Sequence, residues 1–145
     1  MRSRYLVTVA LFLACRAYAG PYGDDLAKCL VDSTTKEDRT ALVRWMFAAA
    51  AANPAVAPIA NVSPKTMDSA NATTGTLFMR LLTESCKEKA KKALTYEGSA
   101  TIQQSFQVLG QVAAGEMFAS PEVRKAMAGL DKHVDTKKLD ELKNQ

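Results

Sequence analysis

The sequence predicts an all-α fold, a single-domain bundle of about five to seven helices stapled by one disulfide. No period-2 alternation of β-branched residues persists, and no Asn-Gly or Asp-Gly hairpin turn occurs. Helix start and stop signals instead recur along the chain. Of three cysteines, Cys29 and Cys86 are left as a matched pair once an N-terminal export signal is removed.

That signal is expected over residues 1–19, leaving a helical domain over 20–145. Arg2 and Arg4 precede an apolar run from Tyr5 to Ala14, and Ala17-Tyr18-Ala19 forms an A-x-A cleavage site. The run is too short to span a bilayer, which takes about 20 apolar residues in helical form, and no other stretch comes close. No transmembrane helix is expected in the mature chain. An alternative is lipid anchoring, with Cys15 processed to a lipidated first residue; against it, Phe12 stands where that signal usually has Leu.

Cleavage after Ala19 removes Arg2, Arg4 and Arg16, so the formal net charge falls from +4 to +1. A nearly neutral exported domain with no block of like charge beyond Lys87 to Lys92 gives a nucleic-acid surface little support. An even number of cysteines in an oxidising compartment favours a Cys29–Cys86 bond. Closing a loop of nearly sixty residues contributes on the order of 4 kcal/mol by chain entropy. The other reading is two separately buried thiols, which requires that the helices carrying them do not touch.

Asp24 or Asp25 is expected to cap a first short helix ending near Asp32, with Leu26, Cys29 and Leu30 on one side. Thr35 with Asp38 three residues later resembles a capping box and opens a second helix, which Pro54 stops. This helix is apolar nearly all round, with Leu42, Trp45, Met46 and Ala49 flanked by Val43 and Phe47, and is expected at the bundle centre. Pro54 and Pro58 make residues 53–62 an irregular connection with room for one helical turn.

Ser63-Pro64 is a strong start signal, Ser capping and Pro taking the first helical position. The third helix places Met67, Asn71, Thr74, Phe78, Leu81, Leu82 and Ser85 near one face and Arg80 on the other, with an interruption expected at Thr73-Thr74-Gly75. A charged fourth helix runs to Glu97, its inner side marked by Cys86, Ala90 and Ala93, and Gly98 reads as its C-terminal cap. The fifth opens at Ser99 and repeats Ile102, Phe106, Leu109, Ala113 and Met117; its Gly110 and Gly115 suggest close approach to Ala48–Ala52. Ser120-Pro121 starts a short sixth helix ending at Gly129, and Asp135 caps a last amphipathic one.

The stretch Cys29-Leu30-Val31 through Asp38-Arg39 to Leu42-Val43-Arg44-Trp45-Met46-Phe47, followed by Asn53-Pro54, resembles a group of small uncharacterised exported proteins of Gram-negative bacteria. Gln107-Val108-Leu109-Gly110-Gln111-Val112-Ala113 is similar to theirs as well. The resemblance implies a helical periplasmic domain and brings no activity or site residues with it.

Motifs for chemistry are sparse. His133 is the one histidine, and with two cysteines expected to be oxidised a zinc site or a Cys-His nucleophile lacks ligands and partners. Neither G-x-S-x-G, G-x-G-x-x-G nor a P-loop is present. No catalytic residue, metal or cofactor is therefore expected. Glu116, seven residues after Leu109, falls near the middle of the fifth helix's apolar stripe, where a buried carboxylate needs a partner. Arg39 and Arg44 on the second helix are the candidates, an Arg fork matching a carboxylate. The trio reads as a salt bridge that fixes helix register or as a polar spot in a ligand cleft; otherwise Glu116 sits at the helix end in water.

Export, small size and missing motifs together predict a non-enzymatic periplasmic or secreted protein that binds another envelope or secreted protein, as an inhibitor or immunity-type partner would. The alternative is a small-ligand binder or acid/base enzyme centred on Glu116 with Arg39 or Arg44.

Overall fold

In the computed structural model, residues 20–144 are described, and the expected signal peptide, Cys15 included, lies outside them. Among the described residues there is no strand and there are seven α-helices: α1 (Pro21–Asp32), α2 (Lys36–Ala50), α3 (Pro64–Arg80), α4 (Lys87–Glu97), α5 (Ala100–Phe118), α6 (Pro121–Met127) and α7 (Thr136–Glu141). No described helix is long and apolar enough to cross a membrane.

Local chemistry sets most boundaries. Thr35 accepts from the Asp38 N–H and Asp38 accepts from the Thr35 N–H, a complete capping box at α2. Ser63 and Ser120 cap α3 and α6, each with proline at the first helical position. Asp135 caps α7. Gly98 ends α4 at φ 84°, a conformation that side chains resist. α1 begins earlier than its aspartates suggested: Gly20 is the N-cap, Pro21 leads, and Asp24 sits in the first turn.

The core lies where α5 meets α1, α2 and α4. Leu26, Leu30, Leu81 and Leu109 are fully buried, joined by Leu42, Leu77, Cys86, Ala93 and Ala113. α2 is not the central helix. Only Leu42 and Ala48 are buried on it, and Phe47 is 52% exposed. Much of its apolar circumference is alanine, which has little surface to bury, whereas α5 brings Thr101, Ser105, Leu109 and Ala113 inward at four-residue steps. Ser105 Oγ lies 3.0 Å from the Gly23 carbonyl oxygen, so α1 and α5 pack backbone to side chain. Gly110 faces Met46 and Gly115 faces open space, so neither glycine makes the expected approach to Ala48–Ala52.

Cys29 on α1 and Cys86 before α4 stand at disulfide distance, with Cα atoms 5.9 Å apart. The helices carrying them pack together, which excludes separately buried thiols. Inward residues on α3 and α4 run Thr74, Leu77, Leu81, Cys86, Ala90, Ala93. The step from Leu81 to Cys86 is five residues, and the backbone follows it with a wide π turn over Leu81–Ser85, in which Cys86 N donates to Leu81 O at 2.8 Å. The expected break at Thr73-Thr74-Gly75 is absent; α3 runs through it unbroken.

Beyond α5, the segment from Pro121 to Asn144 joins the bundle only where α6 leaves the end of α5. α6 is followed by a 3-10 turn (Ala128–His133) rather than ending at Gly129, and Leu130, Leu139 and Leu142 are exposed along the segment.

Candidate binding groove

Arg39 Nε lies 2.8 Å from Glu116 Oε2, and Arg39 Nη1 donates to the Thr34 carbonyl at 2.7 Å. Glu116 is 50% exposed and Arg39 20%. The carboxylate is therefore at the surface and not buried in the stripe, because the stripe outlasts its partners: Ala113 is the last buried residue of α5. Arg44 does not join the pair. Five residues separate it from Arg39, which places the two about 140° apart around a helix.

Arg44 instead faces a groove between α2 and α3. Ala41, Arg44, Phe47 and Ala48 recur at three- and four-residue spacing to form the α2 wall. Lys65, Ser69, Ala70 and Thr73 form the α3 wall, and Val56, Ala60 and Val62 of the connection close one end. The groove encloses about 710 Å³, within the usual range of ligand sites, roughly 300–1,000 Å³. Its lining holds two cations, Arg44 and Lys65, and no carboxylate.

Polar clamps hold the two walls. Trp45 Nε1 donates to Asn71 Oδ1 at 2.9 Å, so the only tryptophan, half-buried and packed against the core, also bridges the two helices. Its ring meets Phe78 edge-on at 6.2 Å, and Phe78 packs on Phe106 at 4.1 Å, which anchors both walls to α5. At the far end Arg80 Nη2 lies 2.7 Å from Asp38 Oδ2. Partial burial raises the Asp38 pKa, but hydrogen bonds from the Thr35 N–H and from Arg80 outweigh it and hold the carboxyl below the ordinary aspartate range.

Helical periodicity sets Arg80 on the outer face of α3, and the Asp38 clamp is not legible in the sequence. Nor is the groove. The available signal was Val56, Ala60 and Val62, apolar residues in a proline-containing connection that have no core to enter. Neither the groove nor the smaller pocket bounded by Asp38 and Arg80 reaches Glu116. His133 lies in the exposed C-terminal segment, and among the described residues no cluster of three metal-ligating side chains forms.

Fold and site together define a small disulfide-stapled helical bundle with a cationic-rimmed apolar groove on one side. Compared with protein-family models, curated proteins and solved structures, the chain has no match.

Proposed function

We propose that this is an exported, non-enzymatic protein of the periplasm or extracellular space that acts by binding another protein through the α2–α3 groove. The carrying observation is the groove lining: an apolar floor with half-exposed Phe47, rimmed by Arg44 and Lys65 and without an acid. The occupant that fits is an amphipathic helix of the partner, presenting apolar residues at three- and four-residue spacing to the floor and a carboxylate to each cation. An inhibitor or immunity-type role is compatible with that mode, in which the groove acts as a docking surface. Export is supported by the features of residues 1–19, and an oxidising compartment by the Cys29–Cys86 pair. Lipid anchoring at Cys15 is the alternative for localisation.

A ligand or acid/base site at Glu116 has less support, because Arg39 already occupies this half-exposed carboxylate and Arg44 points elsewhere.

The test is site-specific photocrosslinking in the cell envelope from position 47, with position 122 on α6 as control. One partner captured from 47 alone, which binds in purified form and loses at least tenfold affinity to Arg44→Glu, supports the proposal. A purified partner whose affinity is untouched by Arg44→Glu and by Ala70→Arg overturns it.

A further inference from the structure

Glu97, the last residue of α4, turns its carboxylate onto the start of α1. Oε1 accepts from the Tyr22 N–H at 2.9 Å and Oε2 from the Gly23 N–H at 2.9 Å, while the Thr101 hydroxyl donates to Oε2 at 3.0 Å. The Gly20 N–H also helps to hold the Glu97 pKa below its ordinary value, after burial that raises it and the stronger Tyr22, Thr101 and Gly23 donors. A β-carbon on Gly20 would meet the Glu97 carboxyl group unless that side chain moved, so this position lies directly against the carboxylate. A carboxylate supplied by a residue 75 positions away thus does what a local N-cap side chain usually does.

We infer that Glu97 is the receptor for the α-ammonium group that signal-peptide removal frees at Gly20, so that processing turns a neutral backbone hydrogen bond into an ion pair. This role presupposes the export proposed above, with cleavage after Ala19. Hydrolysis of the Ala19–Gly20 amide by an envelope signal peptidase consumes one water. The hydroxyl goes to the Ala19 carbonyl carbon and the hydrogen to the Gly20 nitrogen, which at neutral pH also takes up the proton of the new carboxyl group.

Gly20 already lies against its partner. In the precursor it offers Glu97 one N–H and no charge; in the mature chain it offers three N–H groups and a full positive charge. Charge-assisted hydrogen bonds are roughly twice as strong as neutral ones. A cation at a helix N-terminus opposes the helix dipole, and a carboxylate fixed at that point offsets the conflict. The other titratable groups around the position are Asp24 in the first turn of α1 and the stacked Tyr22–Tyr96 pair from α1 and α4, while α5 offers the Thr101 hydroxyl. A chain starting at a lipidated Cys15 would carry five residues ahead of Gly20 and no amine at Glu97.

The test compares the mature chain beginning at Gly20 with one that retains Ala19, each with Glu97 and with Glu97→Gln. Glutamine keeps one acceptor oxygen for the α1 N–H groups and no charge, and comparing the Gly20 and Ala19 forms within each background removes the cost of the lost second acceptor. The Gly20 form should melt about 2–4 °C higher than the Ala19 form at pH 6. The gap should close in Glu97→Gln, and it should close with Glu97 present as pH rises past the amine's folded pKa. By NMR that pKa should exceed the usual α-amino range of about 7.7–8.0. Equal melting of the two forms at pH 6, or a gap that survives Glu97→Gln, overturns the assignment whatever the groove binds. An exported protein whose mass places its first residue elsewhere than Gly20 overturns it as well.

Discussion

Arg39 holds Glu116 at 2.8 Å with one nitrogen and the Thr34 carbonyl at 2.7 Å with another, so a single guanidinium ties the α1–α2 corner to the end of α5. The two partners are not equivalent. Glu116 is half in water, whereas Thr34 is buried.

Glu116→Gln should therefore lower stability by less than about 1 kcal/mol, the range of exposed ion pairs. Arg39→Ala should cost about 1–2 kcal/mol, because it also strips a donor from a buried residue. Urea unfolding of both variants measures the difference. A Glu116→Gln loss as large as that of Arg39→Ala would show that the carboxylate matters more than its exposure implies.

Replacing Cys29 and Cys86 together with alanine should destabilise the protein by about 2–5 kcal/mol and lower Tm by about 10 °C or more. Dithiothreitol should do the same to the native chain. Calorimetry in both redox states checks this, and a reduced protein that melts unchanged would leave the staple without a stabilising role.

Acid should weaken the fold through two carboxyls. The Asp38 and Glu97 pKa values both lie below their ordinary 3.8 and 4.5. At Glu97 partial burial pulls upward, and the Tyr22 N–H, the Thr101 hydroxyl and the N–H groups of Gly23 and Gly20 outweigh it. A depressed folded-state pKa gives stability that is present above the unfolded value and lost as pH falls through the folded one. The urea midpoint should thus fall between about pH 5 and pH 2, less steeply in Asp38→Asn. An identical acid slope in that variant would contradict the clamp's contribution.

Thr74 Oγ1 is buried with no hydrogen-bond partner among the described residues. Thr74→Val keeps the shape and removes the unpaired hydroxyl, so it should raise stability by up to about 1 kcal/mol. A loss of stability by chemical denaturation would mean that the hydroxyl has a partner such as water.

Much of the bundle was legible because its helix ends are local events. Thr35 with Asp38, Ser63-Pro64, Ser120-Pro121, Asp135 and Gly98 each act within a few residues, and each stands where its chemistry placed it. The start of α1 was missed because its cap is a distant carboxylate. The rank of α2 was misjudged because alanine counts as apolar in a periodic pattern yet buries little area. Weak helix formers at Thr73-Thr74-Gly75 suggested a break that tertiary packing overrides. At the candidate site, helical periodicity placed Glu116 on the stripe but could not show that the stripe runs past its neighbours. Arg39 was legible as its partner; that Arg44 belongs to a groove depends on how far α2 stands from α3, which only the assembled helices define.

The π turn at Leu81–Ser85 makes chain length itself a determinant here. Taking one residue out of this turn would bring Cys86 to four residues after Leu81, the spacing at which an ordinary helix keeps its inward row, whereas adding one would swing every later side chain by about 100°. With the added residue Cys86, Ala90 and Ala93 would leave the interior together, and Cys86 would no longer meet Cys29. Insertions should accordingly be tolerated in the 53–62 connection and excluded from 82–85, where a single deletion is the change the register absorbs, although both stretches lie largely at the surface.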